Sequence, residues 1–216
     1  TRMSAGEDDH AAVAIACELA RASGGEAVGV TCGNSDPSWA LARGVARAVS
    51  VTDAPPVDDE VATATVLAAA ARTVPDADVL VIGDAEEHPG VAAALAALLG
   101  WPVVLGVSTA VAGPDGIEAV RRAGEVEEVF TVTAPVVLAV RADGAETRPP
   151  GMKEMLTARK RPVDKRTLAE LGVALPAAPA ELGTRLPDRK GAQMFEGDPQ
   201  QAAQALVAAL RADGVA

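Results

Sequence analysis

Aromatic side chains are almost missing from this chain: it has no tyrosine, and Trp39, Trp101, Phe130 and Phe195 are its only aromatic residues. That excludes nucleic-acid binding by base stacking, which needs a platform of exposed rings. Positive charge is scarce too, with 19 Lys and Arg against 30 Asp and Glu and a net charge of -11, which argues against binding a phosphate backbone. Cysteine is limited to Cys17 and Cys32, giving no disulfide framework and no metal-ligand spacing, as suits a reducing cytoplasm. His10 and His88, the two histidines, are too far apart in sequence to form a local metal motif. No uninterrupted apolar run reaches the ~18 residues of a membrane-spanning helix, and the start shows no signal-peptide pattern. The expectation is a soluble protein of the bacterial cytoplasm, with no metal, no nucleic-acid partner and no membrane insertion.

What is present is small and aliphatic. Of the 216 residues 49% are hydrophobic, so a sizeable core is possible, built of Ala, Val and Leu. The pattern alternates as in an α/β sheet protein. Asp8 or Asp9 caps a helix to about Ser23, Ala27–Thr31 is a short strand, and Asp36-Pro37 opens a second helix to about Arg47. Ala48–Thr52 is a strand, and Asp58 or Asp59 begins an Ala-rich helix to Val74. Val79–Gly83, an apolar run ending in glycine, reads as a central parallel strand, and a helix follows from Pro89 to Leu99. Val103–Ala112 and Ile117–Ala123, joined by Gly113-Pro114-Asp115-Gly116, form an antiparallel hairpin. Val126–Thr133 and Val136–Val140 are further strands, and Thr167–Leu171 is one helical turn. Residues 174–190 are an extended arm, and Asp198-Pro199 caps a last helix to about Arg211. Doubly wound folds place their first strand near the middle of the sheet, yet here a helix cap comes first. The reading is that an upstream strand, or another segment or chain, fills a central slot.

Arg148–Val163 stands apart, with five cations and one anion on an acidic chain, prolines at both ends and Met155-Leu156 inside. It reads as an exposed loop presenting apolar knobs beside positive charge, a docking surface for an acidic partner, against the plainer alternative of a solvated basic turn. Prolines and cations exclude it from a core strand.

In that layout the segment resembles the recognition loop of the electron transfer flavoprotein beta subunit, whose pattern is roughly Arg-Tyr-Pro-Ser-Leu-x-Gly-Ile-Met-x-Ala-Lys-Lys-Lys-Pro-Ile. Ala158-Arg159-Lys160-Arg161-Pro162 aligns without a gap, and Met152 falls where the family has its partner-anchoring leucine. Met3-Ser4 with Asp9, Val30-Thr31-Cys32-Gly33, Leu99-Gly100-Trp101-Pro102 and Phe195-Glu196-Gly197-Asp198-Pro199 are similar to family segments in the same order. The resemblance implies a Rossmann-like, doubly wound, mostly parallel sheet of the adenine nucleotide alpha hydrolase-like type, with the hairpin and the C-terminal arm added. It implies a nucleotide-binding-type domain over 1–173, a recognition loop at 146–163, and an arm and helix over 174–216 packing on a partner.

The family likeness further implies an electron carrier without catalytic residues, one half of a heterodimer with an FAD-binding alpha subunit. Such a carrier takes electrons from flavin dehydrogenases of the acyl-CoA dehydrogenase type and passes them to the respiratory chain or another acceptor. FAD would be held mainly by the alpha subunit, with AMP or a second FAD in this one. Partner recognition falls to Met152, Met155, Leu156, Arg159, Lys160 and Arg161; nucleotide binding falls to Asp9, Cys32, Gly83, Asp84, His88, Pro89, Gly90, Val91 and Ala92. The second set departs from the family's Asp-x-x-x-Gln-Thr/Val-Gly sequence, lacking the glutamine and threonine, shifting the glycine and adding Glu86 and Glu87, which would repel a phosphate. Asp9 reads equally as a helix cap, Cys32 as a buried small residue at a strand end, and His88 as an exposed loop residue. The competing functions are a stand-alone adenine-nucleotide-binding module of the universal-stress type, a sensor, and a nucleotide hydrolase. The last lacks the phosphate loop with serine and base that it requires.

Overall fold

A computed structural model describes residues 5–33, 35–54, 59–142, 149–175, 177, 182–187 and 191–215. The chain divides into two compact units, Thr1–Pro179 and Ala180–Ala216. Helices and strands alternate through the first: α1 (Glu7–Ser23), β1 (Val28–Cys32), α2 (Ser38–Leu41), β2 (Arg47–Val51), α3 (Glu60–Ala71), β3 (Val79–Gly83), α4 (Val91–Leu99), β4 (Val103–Gly113), β5 (Gly116–Ala123), β6 (Val126–Val132), β7 (Val136–Val140), α5 (Met152–Ala158) and β8 (Val163–Arg166). The second unit contains α6 (Pro199–Ala212).

The strands form a doubly wound, mostly parallel α/β arrangement, hydrogen-bonded as two sheets. One has the order β1-β2-β8, all parallel; the other has the order β3-β7-β4-β5-β6, parallel through β3, β7 and β4 and antiparallel through the hairpin strands. Side chains alternate across β3 as the pleat demands: Val79 and Val81 pack with Ile15 and Leu19 of α1, whereas Leu80 and Ile82 pack with Ala64 and Ala68 of α3 and Leu95 of α4. Helices therefore cover both faces. β7 is buried along its whole length, which is why its sequence is a continuous apolar run and not an alternating one.

The observed helix starts follow side-chain chemistry. Asp59 Oδ1 accepts from the Val61 and Ala62 amides, and Asp198 Oδ1 accepts from the Gln200 amide with Pro199 in the first turn of α6. Asp58 lies outside the described residues. For α1 the cap is Gly6, with Asp9 reaching back to accept its N–H at 3.0 Å. Neither Asp8 nor Asp9 is itself the cap.

Two expectations change. The helix after Pro37 is a single turn instead of extending to about Arg47, because Gly44 at φ +119° turns the chain toward β2. That glycine also lets α1 come close, since a Cβ on it would sit 3.3 Å from Cys17 Sγ. The described part of the basic segment is not a loop, as residues 152–158 form α5. Its last residue, Val163, begins β8, an edge strand paired with β2; proline at 162 is compatible with that edge because it lies just before the strand. Arg148 lies outside the described residues. Those described between 174 and 190 adopt neither helix nor strand.

Candidate functional site

The carboxyl ends of β1 and β3, each a terminal parallel strand of its sheet, mark the end of the strands at which doubly wound folds hold ligands. The start of α1 closes over it. Asp8 Oδ1 accepts from the Ala142 amide at 2.5 Å, just past the end of β7. A Cβ on Gly83 would sit 2.9 Å from Asp9 Oδ1 and 3.0 Å from Asp8 Cβ, so glycine at that strand end is what lets α1 approach. Asp84 is a brace: its N–H donates to the Val140 carbonyl at 2.8 Å and its carboxylate accepts from the Gly106 amide at 2.8 Å.

Burial, the largest cause, pushes the Asp9 carboxyl above its ordinary 3.8, with Asp8 adding to the effect while the Gly6 amide opposes it. The Cys32 thiol is likewise pushed up, first by burial and then by the Asp9 charge, which keeps it protonated and unreactive at neutral pH. Asp9 and Cys32, both partly buried, thus share one corner at the ends of β1 and β3.

A raised carboxyl pKa means that the folded protein holds its proton longer than the unfolded chain does. The stability Asp9 contributes is complete below pH 3.8 and is lost as pH rises through the folded value. Asp9→Asn retains an oxygen for the Gly6 amide and removes the buried charge. It is expected to be more stable than the parent at pH 7, by about 1.4 kcal/mol for each unit of elevation, with the difference shrinking toward pH 3.8. Paired urea melts at both pH values check this; a variant equally destabilised at each contradicts it.

Residues 88–92 form the start of α4. His88, Pro89 and the two glutamates before them are exposed, while Val91 and Ala92 are buried; the His88 carbonyl accepts from the Val91 amide at 3.3 Å. The Gly90 N–H, which an incoming phosphate would need, is already taken: Glu60 Oε1 at the start of α3 accepts it at 2.9 Å. An intramolecular carboxylate therefore sits where an anion would sit. Sequence reading misses Glu60 because it looks like an ordinary helix-start acid, and only the packing of α3 against α4 brings it to Gly90.

The residues expected from the sequence to recognise a partner gather on α5 and the turn that follows it. Met152, Met155 and Leu156 are exposed at 72%, 47% and 55%, unusual for large apolar side chains so close together. Arg159 and Lys160 are exposed beside them. Arg161 differs, because its guanidinium donates to the Val45 carbonyl. Ala158 is buried against Leu41, Ala42, Val45 and Ala48, so a small residue, an internal arginine and β8 hold this element while the rest of it faces outward. Beside it a cavity of about 610 Å³ opens between α1, α2 and α5, lined among others by His10, Arg43, Lys153 and Glu154. The His10 and Trp39 rings meet at a tilt, 4.9 Å between centroids, tying α1 to α2, and the Arg43 guanidinium lies 5.6 Å from the Trp39 ring.

Among the described residues no group of three or more His, Cys, Asp or Glu is placed to hold a metal, and no helix is long and apolar enough to cross a membrane. The fold is that of a Rossmann-like, doubly wound α/β protein. The family model for the electron transfer flavoprotein domain matches residues 3–171, and the chain belongs to that family.

Proposed function

We propose that this chain is the beta-type subunit of an electron transfer flavoprotein, a docking and assembly subunit that carries no catalytic residue. The observation behind this reading is α5 and the turn after it: three exposed apolar side chains and three exposed cations, Lys153, Arg159 and Lys160, on a chain of net charge -11, held on a buried anchor. Such a rigid apolar centre with a charged rim is how a few residues supply most of a transient interface's energy while charge steers the encounter. The partner it fits is a flavin dehydrogenase of the acyl-CoA dehydrogenase type with an acidic rim around an apolar pocket.

Electrons reach the respiratory chain or another acceptor through the FAD of an alpha subunit, the flavin supplying the redox chemistry. Residues 174–216 would pack on that subunit. α6 suits the role, since Leu206, Val207 and Leu210 lie along it and none of its residues is buried. As they stand, the residues at the start of α4 do not fit a nucleotide phosphate: Glu60 fills the Gly90 amide, and Glu86 and Glu87 add negative charge. No nucleotide is therefore assigned to this subunit.

Co-expression with a family alpha subunit tests the reading. A yellow heterodimer that releases FAD without AMP on denaturation is the expected result, measured by absorbance and mass. If the two chains fail to associate, the subunit assignment is wrong. Release of AMP or of a second FAD overturns the reading of the α4 start.

A further inference from the structure

The cavity of about 610 Å³ between α1, α2 and α5 lies apart from the strand ends, and its lining has a chemistry of its own. The walls follow from spacing. His10, Ala14, Cys17 and Arg21 recur at intervals of three and four, which puts them on one face of α1, and Lys153, Glu154 and Thr157 do the same on α5. Cys17, Leu41 and Ala42 pack in one buried cluster and give the cavity an apolar floor. On a chain of net charge -11 the rest of the lining is positive: Arg21, Arg43, Lys153 and Arg161 stand against the carboxylates of Glu18 and Glu154. None of these four cations is in an ion pair among the described residues. Arg43 Nη1 donates to the Trp39 carbonyl at 3.1 Å, but Arg43 Nε is buried with no hydrogen-bond partner among the described residues. The side-on edge of that guanidinium, which grips a carboxylate or phosphate with two parallel bonds, is therefore unspent.

The charges fall into two groups. Arg43 sits beside His10, the two lying 5.6 and 4.9 Å from the Trp39 ring centroid. Burial first and the Arg43 charge second push His10 below its ordinary 6.5, so at neutral pH it is uncharged and offers one N–H. Arg21 and Arg161 both bear on the Cys17 thiol, opposing the larger effect of burial, which pushes that thiol up. From His10 to Cys17 the helix advances roughly 10 Å at its usual rise.

We propose that this cavity binds a small elongated dianion, one oxyanion group held by Arg43 beside His10 and the other by Arg21 and Arg161 beside Cys17. The ligand carries two charges because the cations of the lining outnumber its carboxylates by two. It is a small molecule because the volume is that of an ordinary ligand pocket. Its body is apolar, since between the two charged ends it lies over Ala14, Cys17, Leu41 and Ala42. Carboxylate and phosphate share the chemistry that a guanidinium edge reads. Walls of low dielectric focus the field of the cations on the bound groups, whereas the exposed Lys153 acts as a point charge at the mouth. Because Lys153 lies on α5 and Arg161 just after it, an occupied cavity ties α5 to α1.

This inference rests on the charge and lining of the cavity and not on the electron-transfer reading. Suberate and hexanediol bisphosphate are titrated calorimetrically into the full chain, with octanoate as the one-ended control. At least one dianion is expected to bind about tenfold or more tightly than octanoate, and the tighter of the two tells carboxylate from phosphate. Arg21→Gln changes an exposed side chain outside every described ion pair, so it tests the site without loosening the fold. That substitution and Arg43→Gln should each weaken binding by about tenfold or more, whereas Arg122→Gln on β5 should leave it unchanged. Amide exchange measured with the bound dianion should slow over Glu7–Ser23 and Met152–Ala158. Four results overturn the proposal: neither dianion binds; octanoate binds as tightly as both; binding survives Arg21→Gln or Arg43→Gln unweakened; or protection is confined to residues 88–92, which would place the anion at the start of α4.

Discussion

Met152→Asp should lower affinity for the dehydrogenase partner at least about 30-fold while leaving the urea midpoint of the chain almost unchanged. The two halves of that result have separate causes. Met152 is 72% exposed at the start of α5 and contributes nothing to the buried cluster that anchors the element through Ala158. Surface substitutions of that kind stay within about 0.5 kcal/mol in stability. In a complex the same side chain is proposed to enter an apolar pocket, and a carboxylate there would be desolvated without a partner on an interface already suited to acidic groups. Truncating a central anchor costs about 2 kcal/mol or more, which is roughly 30-fold, and an unpaired charge adds to it. Calorimetry of the heterodimer against the dehydrogenase, with urea melts of the same variant, reads both quantities. Unchanged affinity would remove α5 from the docking surface. Arg161 makes a poor probe for the same purpose, because its bond to the Val45 carbonyl mixes folding with recognition.

Glu60→Ala should raise affinity for AMP, and for inorganic phosphate, by about tenfold or more. The wild-type carboxylate both occupies the Gly90 amide and places negative charge at the start of α4. Two unit charges about 6 Å apart repel by roughly 3 kcal/mol at an effective dielectric of about 20, and solvent screening at this half-buried site leaves about half of that. Removing the side chain also returns a backbone donor to the helix start, where the dipole favours an anion. Glu60→Gln separates the two effects, as its amide oxygen can still accept from Gly90 while the charge is gone. The expected order of affinity is alanine, then glutamine, then the parent, read by titration calorimetry. If all three bind equally weakly, the α4 start is not an anion site in this chain, and Glu86 and Glu87 or the loop geometry governs instead.

Much of the fold is written locally. Val79–Gly83 and Val136–Val140 announce themselves as parallel strands by their continuous apolar runs, but β3, expected to be central, stands at the end of its sheet's order and is only partly buried, whereas β7 is buried along its whole length. The hairpin is legible from Gly113-Pro114-Asp115-Gly116 between two strand-forming runs, and α3 and α6 from a capping aspartate. The basic segment is legible in composition but not in conformation. Its charge and prolines mark it as exposed, whereas its helix depends on Ala158 finding the small-residue surface of α2 and β2.

The candidate site divides in the same way. That Asp9, Cys32 and Gly83 converge follows from their places at strand and helix ends, which the alternation of elements sets. By itself, then, the sequence determined the α/β class, the family resemblance, the exposed basic segment and the loss of the usual phosphate-loop residues, because each of these depends on residue type and local order. Only the tertiary structure decided that Glu60 caps Gly90 and that Arg161 serves the fold. Those are contacts between residues 30 or more positions apart, and they exist only once helices and sheets have packed.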